Sequence, residues 1–224
     1  MFDFFYSKKK IKNLEKKLEG KLPVTKEELF ILVNSWGRTQ DIDINNEIFD
    51  FKYKTSFSKN YYDLSKLDTS QITNMFFIFA HSNFNGDISK WDVSNVTSMD
   101  SMFWNSKNFN QDISQWDVSN VTSMLEMFYR AENFNQNISN WNTSNVKTMN
   151  SMFDDAKDFE LKYNNSEPLP NKTEDIKEWF NLNRERMDMI DIKEKHGEEV
   201  DNFFSNITDI YSTNRIGLHN GDIS

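Results

Sequence analysis

The sequence predicts an α/β fold, namely a short solenoid of about four 25-residue strand–turn–helix repeats with helical caps at its N- and C-terminal ends. Three observations support this prediction. Blocks of nearly identical sequence recur every 25 residues, each block changes from a strand-like to a helix-like apolar period, and amphipathic helical patterns flank the blocks on both sides. With 224 residues, of which 37% are hydrophobic, the chain can bury roughly 70% of its unfolded surface.

The repeat is visible as three gapless blocks that begin at Phe84, Phe109 and Phe134. Each block reads Phe-Asn-x-Asp-Ile-Ser-x-Trp-Asp-Val-Ser-Asn-Val-x-x-Met, with Asn or Thr at some positions of the third block, and each continues to a Met-Phe pair. A diverged copy lies between Leu64 and Met75, at a spacing of 24 residues. Because one such unit cannot bury its own apolar edge, the repeats are expected to stack on one another.

Each repeat divides into two apolar periods. Trp91 and Val93 alternate as on a strand, whereas Val96, Met99 and Met102 are three residues apart, as on a helix face. Stacking would bring equivalent side chains within about 4.8 Å of one another. The sequence therefore predicts two buried aromatic columns, which consist of Trp91, Trp116 and Trp141 behind Leu67, and of Phe84, Phe109, Phe134 and Phe159.

These motifs resemble the bacterial surface protein repeat family, also described as BspA-like leucine-rich repeats. The resemblance rests on the string Phe-Asn-x-Asp-Ile-Ser-x-Trp-Asp-Val-Ser-Asn-Val-Thr-x-Met-x-x-Met-Phe and covers about Asp63–Phe159. The stretch from Leu22 to Leu29 also resembles the segment that leads into such arrays. The resemblance implies a leucine-rich-repeat-like solenoid that is used for binding, frequently on bacterial surfaces.

The flanks divide the rest of the chain into predicted segments. These are a Lys-rich helix over residues 1–21, an N-terminal cap of a helix and short strands over 22–62, the repeat solenoid over 63–159, a linker over 160–172, and a C-terminal helical cap or tail over 173–224. In the N-terminal cap, Thr25 and Glu28 form a capping box. The apolar stripe that follows it consists of Leu29, Leu32, Val33 and Trp36, and residues 42–53 alternate as two short strands.

The C-terminal segment carries two helical patterns. Thr173 is placed to cap the first helix, and Glu174 and Asp175 lie in its first turn. The apolar residues of this helix that share one side are Ile176, Trp179, Phe180 and Met187. A second stripe with helical spacing consists of Val200, Phe203, Phe204, Ile207 and Tyr211. Both helices are expected to cap the repeats or to pack on their flank.

The outward positions of the predicted strands form a candidate partner-binding face. Equivalent residues fall into three columns, which are Lys66, Lys90, Gln115 and Asn140; Asp68, Asp92, Asp117 and Asn142; and Ser70, Ser94, Ser119 and Ser144. Aligned carboxylates about 5 Å apart repel one another unless each meets a compensating group. Three interpretations are open: these side chains hydrogen-bond the turn backbone, they bind a partner, or their oxygens hold Ca²⁺. A second carboxylate column of Asp87, Asp112 and Asn137 is expected to bond turns.

Composition excludes several function classes. The 26 Lys and Arg against 35 Asp and Glu give a net charge of −9, which disfavours binding to nucleic acid and to anionic lipid. The chain has no Cys, and its three His share no spacing with acids or nucleophiles. Since no apolar run approaches the 18 residues of a membrane span, none is predicted.

We therefore expect a non-catalytic protein–protein interaction module, with no metal and no cofactor, whose partner is another protein with a basic surface. Two alternatives are open. One is a bacterial surface adhesin, as the resemblance implies, and the other is an enzyme with a site in the C-terminal helices around Glu194, His196 and Glu198. Because residues 1–10 lack a signal-peptide pattern, we expect a cytoplasmic location, or the cell surface or secretion if the N-terminus is trimmed.

Overall fold

The computed structural model describes residues 17–18, 23–34, 63–165 and 167–196. Three helices lie wholly within these ranges: α1 (Lys26–Asn34), α2 (Lys157–Asn164) and α3 (Thr173–His196). Residues 63–156 between α1 and α2 consist of turns, irregular backbone and isolated bridges, and the described residues contain no β-strand. The prediction of a strand and a helix in each repeat is therefore wrong. What the structure shows is mostly irregular backbone around a large aromatic core.

Successive repeats lie side by side and in register. Parallel bridges join Asn74 to Ser98, Ser98 to Ser123, and Ser123 to Thr148, so equivalent positions of four repeats are neighbours. The spacing of 24 and then 25 residues between these positions matches the repeat length that the sequence predicts.

The segment around each Met-Phe pair, predicted as a helix, is a run of turns. Backbone N–H groups of alternate residues bond the next repeat: those of Met99, Ser101, Phe103 and Asn105 donate to the carbonyl oxygens of Ser123, Leu125, Met127 and Tyr129 at 2.9, 2.7, 2.9 and 2.7 Å. Between them, the N–H groups of Met102 and Trp104 donate to carbonyls three residues earlier, at 3.2 and 3.1 Å. Ser101 and Asn105 have φ angles of 50° and 53°, in the left-handed region. This alternation replaces the i to i−4 bonding that an α-helix requires.

The apolar spacing did not distinguish these two structures. Met99, Met102 and Phe103 are fully buried, as they would be on an inward helix face. Consecutive turns of three to four residues return the chain to the core with nearly the period of a helix. The left-handed positions carry Ser, Asn, Glu or Arg rather than Gly, so the usual sequence signal for such turns is missing.

The predicted strand at Trp91–Val93 is replaced by two turns. The N–H of Trp91 donates to the carbonyl of Ile88 at 3.1 Å, and the N–H of Val96 donates to that of Val93 at 2.9 Å. The predicted alternation of side chains nevertheless holds, because Trp91 and Val93 are buried while Asp92 between them is exposed.

The two predicted aromatic columns are confirmed as parts of the core. Phe109, Phe134 and Phe159 stack with ring centroids 6.0 and 5.9 Å apart, and Trp116 and Trp141 stack at 6.5 Å. Phe84, Trp91 and Leu67 are buried with them. A third column comes from the aromatic residues of the turn runs: Phe79, Phe103, Phe128 and Phe153, at centroid spacings of 5.1, 5.5 and 5.6 Å.

The N-terminal capping box is confirmed. The Glu28 N–H donates to Thr25 Oγ1 at 3.2 Å, and the Thr25 N–H donates to Glu28 Oε2 at 2.9 Å. The N–H of Val24 donates to the carbonyl of Asp68 at 3.0 Å, which joins this segment to the first repeat. Buried residues of α1 are Leu29, Leu32 and Val33, as predicted. The predicted Lys-rich helix except for residues 17–18, Trp36 and the predicted strands of residues 42–53 lie outside the described residues.

The C-terminal segment closes the last described repeat. Thr173 Oγ1 accepts a bond of 2.9 Å from the Met149 N–H, whose equivalent Met124 bonds the next repeat's carbonyl at Thr148. Ile176, Phe180 and Met187 of α3 are buried in the same core as the repeats, as predicted for this helix face. Part of the predicted linker is helical, because α2 begins at Lys157 and ends at Asn164. The predicted stripe from Val200 to Tyr211 lies outside the described residues.

Candidate partner-binding face

The Asp column, which we define as Asp68, Asp92, Asp117 and Asn142, closes a turn in each repeat. The Ser94 N–H donates to Asp92 Oδ1 at 3.0 Å, and the Ser94 hydroxyl donates to the same oxygen at 2.6 Å. The backbone bonds of the other three repeats are 3.1, 3.0 and 3.2 Å long and run from Ser70 to Asp68, from Ser119 to Asp117, and from Ser144 to Asn142. The turn-bonding interpretation of this column is therefore confirmed.

The same residues remain accessible to a partner. Asp92, Asp117 and Asn142 are exposed, and Asp68 is intermediate. The neighbouring column is exposed at all four positions, Lys66, Lys90, Gln115 and Asn140. In the serine column, Ser70, Ser94 and Ser119 are intermediate and Ser144 is exposed. We call these three columns the candidate face; its residues lie in turns rather than on the predicted strands.

Hydrogen bonds to the turn favour the charged form of the carboxylates. The hydroxyl and the N–H of Ser119 hold the pKa of Asp117 below its usual range. Asp63, which precedes Ser65 in the first repeat, has a lowered pKa for the same reason. These side chains therefore carry their negative charge throughout the neutral range and keep it in mildly acidic solution.

Asn side chains hold the repeats in register next to the Asp column. Asn95 Nδ2 donates to the carbonyl of Ser70 at 2.8 Å, Asn120 to that of Ser94 at 2.8 Å, and Asn145 to that of Ser119 at 2.7 Å. Each bond joins one repeat to the repeat before it. The turns that present the carboxylates are thus fixed both within each repeat and between repeats.

The second carboxylate column ends where α3 packs on it. Asp87 and Asp112 accept backbone bonds of 2.9 Å from Ser89 and Ser114, so they bond turns as expected. At the third position, Asn137 Oδ1 accepts the same bond, while its Nδ2 donates to Asp188 of α3 at 2.9 Å. An aspartate here would place two carboxylates against each other, which explains why this repeat departs from the motif.

Sequence reasoning missed a half-buried aromatic strip that lies along the outer side of the turn runs. We call it the ladder face and define it by Phe76, Trp104, Tyr129 and Arg130. The rings of Trp104 and Tyr129 are 6.0 Å apart, and the Arg130 guanidinium lies 5.2 Å from the Tyr129 centroid. A signal was available, because Trp104 and Tyr129 each follow a Met-Phe pair, but the predicted helix assigned them to an outer surface without a role.

Metal and catalytic alternatives find no support in the described residues. No group of three or more His, Asp or Glu in these ranges is arranged to hold a metal ion, so the Ca²⁺ interpretation has no structural basis there. Of the residues proposed for an enzyme site, Glu194 bonds Lys162 Nζ at 2.8 Å and His196 is exposed at the end of α3. Glu198 lies outside the described ranges.

A family model described as "Mycoplasma protein of unknown function, DUF285" matches residues 43–168, which is more than half of the 224 residues and includes all four repeats. The chain belongs to the DUF285 family. Neither a curated protein nor a solved structure matches this DUF285 chain. In the ranges that the structure describes, the helices are too short or too polar to cross a membrane.

Proposed function

We propose that this DUF285 chain is a non-catalytic protein–protein interaction module whose partner is a protein with a basic surface. One observation carries the proposal: each Asp-column carboxylate is fixed by its Oδ1 bond to a turn and is still accessible to solvent. An array of pre-positioned charges binds with little loss of conformational entropy. Such charges set the association rate and the choice of partner more than the affinity itself.

We also propose that the repeats form a leucine-rich-repeat-like solenoid of the BspA type. The parallel bridges between equivalent positions and the stacked ring columns support this proposal, since both repeat at one unit per turn of the chain. A solenoid gives each outward position of the motif its own column on the surface, and extended surfaces of this kind serve binding.

The test uses variants that remove charge and keep the turn. Asn142 shows that an asparagine in this column still accepts the bond from its serine, at 3.2 Å. Asp92→Asn/Asp117→Asn should therefore fold like the natural chain. With the partner isolated by pull-down from the native cell, we expect the association rate of this variant at low salt to fall by about threefold to tenfold. Its salt dependence should become shallower.

Two further variants make the test selective. Asn142→Asp adds a carboxylate to the Asp column and should raise the association rate. Glu178→Asn/Glu185→Asn removes the same charge from exposed positions of α3 and should leave the rate close to that of the natural chain. Equal effects of the two double variants would show that only net charge matters, and the candidate face would then not be the binding site.

The ladder face is a second candidate surface for the same function. Aromatic residues and Arg are enriched where protein partners bind most strongly, and Phe76, Trp104 and Tyr129 are half-buried. If Tyr129→Ala/Arg130→Ala weakens partner binding while the Asp-column variants do not, the ladder face is the binding site.

Cell location and the two alternative functions stay as proposals. The N-terminal pattern favours the cytoplasm, and the family resemblance favours an adhesin on the cell surface; fractionation of the native cell separates these two. An enzyme in the C-terminal helices is tested by replacing Glu194, His196 and Glu198 together. Any measured activity that survives this replacement does not reside at that position.

A further inference from the structure

The side of α3 that faces away from the repeats carries its own apolar stripe. Leu182 is 75% exposed, Met189 45% and Ile192 41%. Spacings of seven and three residues place these side chains along one line of the helix. The opposite line of α3, with Phe180 and Met187, is already buried against the repeats. The helix is thus apolar on two sides, although only one of them is covered by the repeats.

The sequence supplies a matching segment close to this stripe. Residues 200–211 lie outside the described ranges and carry apolar residues at helical spacing: Val200, Phe203, Phe204, Ile207 and Tyr211. Only residues 197–199 separate them from the end of α3, and Gly197 is suited to end a helix. Helices joined by so short a connection lie antiparallel and in contact. We propose that residues 200–211 form a helix that folds back on α3 and covers the stripe of Leu182, Met189 and Ile192.

The register of this hairpin follows from its loop. With the loop centred on Glu198, each residue of α3 lies opposite the residue that is equally far beyond the loop. Ile192 is then opposite Phe204, and Met189 is opposite Ile207. Tyr211 falls about one helical turn from Leu182, within reach of its large side chain.

Charges at the loop favour the same arrangement. The last turn of α3 carries Lys193, Lys195 and His196. Glu198, Glu199 and Asp201 would lie in or just before the first turn of the second helix. Basic groups stabilise the C-terminal end of one helix and acidic groups the N-terminal end of the next, and the two sets lie next to each other in the hairpin.

The absence of Cys from the chain allows a direct test by disulfide formation. Two double variants of the full chain are oxidised: Met189→Cys/Ile207→Cys and Ile192→Cys/Phe204→Cys. The control is Glu178→Cys/Ile207→Cys, because Glu178 lies on the same side of α3 but about 16 Å further along it. Monomers with an internal disulfide in either test pair, and not in the control, support the proposal. Disulfide-linked dimers would show that a second copy covers the stripe, and failure of both pairs to bond would also overturn the proposal.

A second measurement keeps the proposal testable if a cysteine variant folds poorly. Met189→Glu/Ile192→Glu alters only the stripe, and Leu161→Glu alters an exposed apolar residue of α2 as the matched control. Since proteolysis follows the population of the open form, we expect chymotryptic cleavage after Phe203 or Phe204 to become about tenfold faster or more in the stripe variant, and not in the control. Equal cleavage rates in the natural chain and both variants would show that residues 200–211 do not dock on α3.

Discussion

The indole N–H of Trp116 donates a hydrogen bond of 3.1 Å to the carbonyl oxygen of Ile88 in the preceding repeat. Trp91 and Trp141 make the equivalent bonds to Leu64 and Ile113 at 2.9 and 3.0 Å. Each indole therefore fills the core and also satisfies a carbonyl of the neighbouring turn, where water is excluded. The Trp column holds successive repeats together by polar bonds as well as by packing.

This double role predicts how substitutions at Trp116 affect the free energy of unfolding. Trp116→Ala should cost about 3–5 kcal/mol because it leaves a large cavity. Trp116→Phe keeps a ring but leaves the Ile88 carbonyl without its donor, and should cost about 1–3 kcal/mol. Denaturant unfolding measures both. Trp104→Phe on the half-buried ladder face is the control, and an equal loss there would show that the indole bond in the core has no special weight.

The parts of the fold that the sequence predicted depend on identity at fixed spacing. Trp116 and Trp141 recur 25 residues apart, so any stack of the repeats brings them together whatever the backbone between them does. The capping box of Thr25 and Glu28 was predictable because its bonds span only three residues. The carboxylate turns were recognisable for the same reason, since Asp92 and Ser94 are two residues apart.

The parts that were not predictable depend on contacts between distant residues. The turn run at Met99–Asn105 is held by bonds to a repeat 24 residues further on, and these bonds do not exist in an isolated unit. The contact between Asn137 and Asp188 joins residues 51 apart, so the end of the second carboxylate column could not be assigned to α3. Local spacing alone therefore favoured a helix where the stacked repeats stabilise turns.

The hydroxyl of Thr173 predicts a second stability effect, at the end of the repeats. Thr173→Val keeps the shape of the side chain but removes the acceptor of the Met149 N–H, which is buried. We expect a loss of about 1–3 kcal/mol in unfolding free energy, and recovery of most of it in Thr173→Ser. Thr97→Val removes an exposed hydroxyl that donates to Thr73 at 3.1 Å, and should change stability by less than about 0.5 kcal/mol. A tolerated Thr173→Val would show that the last repeat is not closed by this bond.

Acid should destabilise the chain through the turn carboxylates. The Ser89 N–H and hydroxyl hold the pKa of Asp87 below its usual range, as Ser119 does for Asp117. Because the pKa is lower in the folded than in the unfolded chain, this contribution is complete above the unfolded value of about 4 and is lost as the pH falls through the folded value. The urea midpoint should therefore decrease from about pH 5 downward. In Asp87→Asn/Asp117→Asn the decrease should be smaller; parallel curves for the two proteins would contradict this origin.

Alkali should act at the other end of the molecule, where α2 meets α3. Burial of Tyr163, together with its bond of 2.8 Å to Asp191, raises the pKa of the phenol above its usual value. Burial of Lys162 lowers the pKa of its amine, but the bonds to Asp191 and Glu194 outweigh this effect, so that the pKa is raised as well. A group whose pKa is higher in the folded chain contributes stability that is complete below the unfolded pKa, about 10 for both residues, and is lost as the pH rises.

The melting temperature of the natural chain should therefore fall from about pH 9.5 upward. Tyr163→Phe loses the bonds to Asp191 and to the carbonyl of Asn135, so it should melt lower at pH 7. Its further decrease in alkali should be shallower, because the phenol no longer loses a proton on unfolding while Lys162 still does. Tyr129→Phe removes a phenol from the ladder face and serves as the matched control. If Tyr163→Phe and the natural chain lose stability in parallel above pH 10, the phenol does not remain protonated at the contact between α2 and α3.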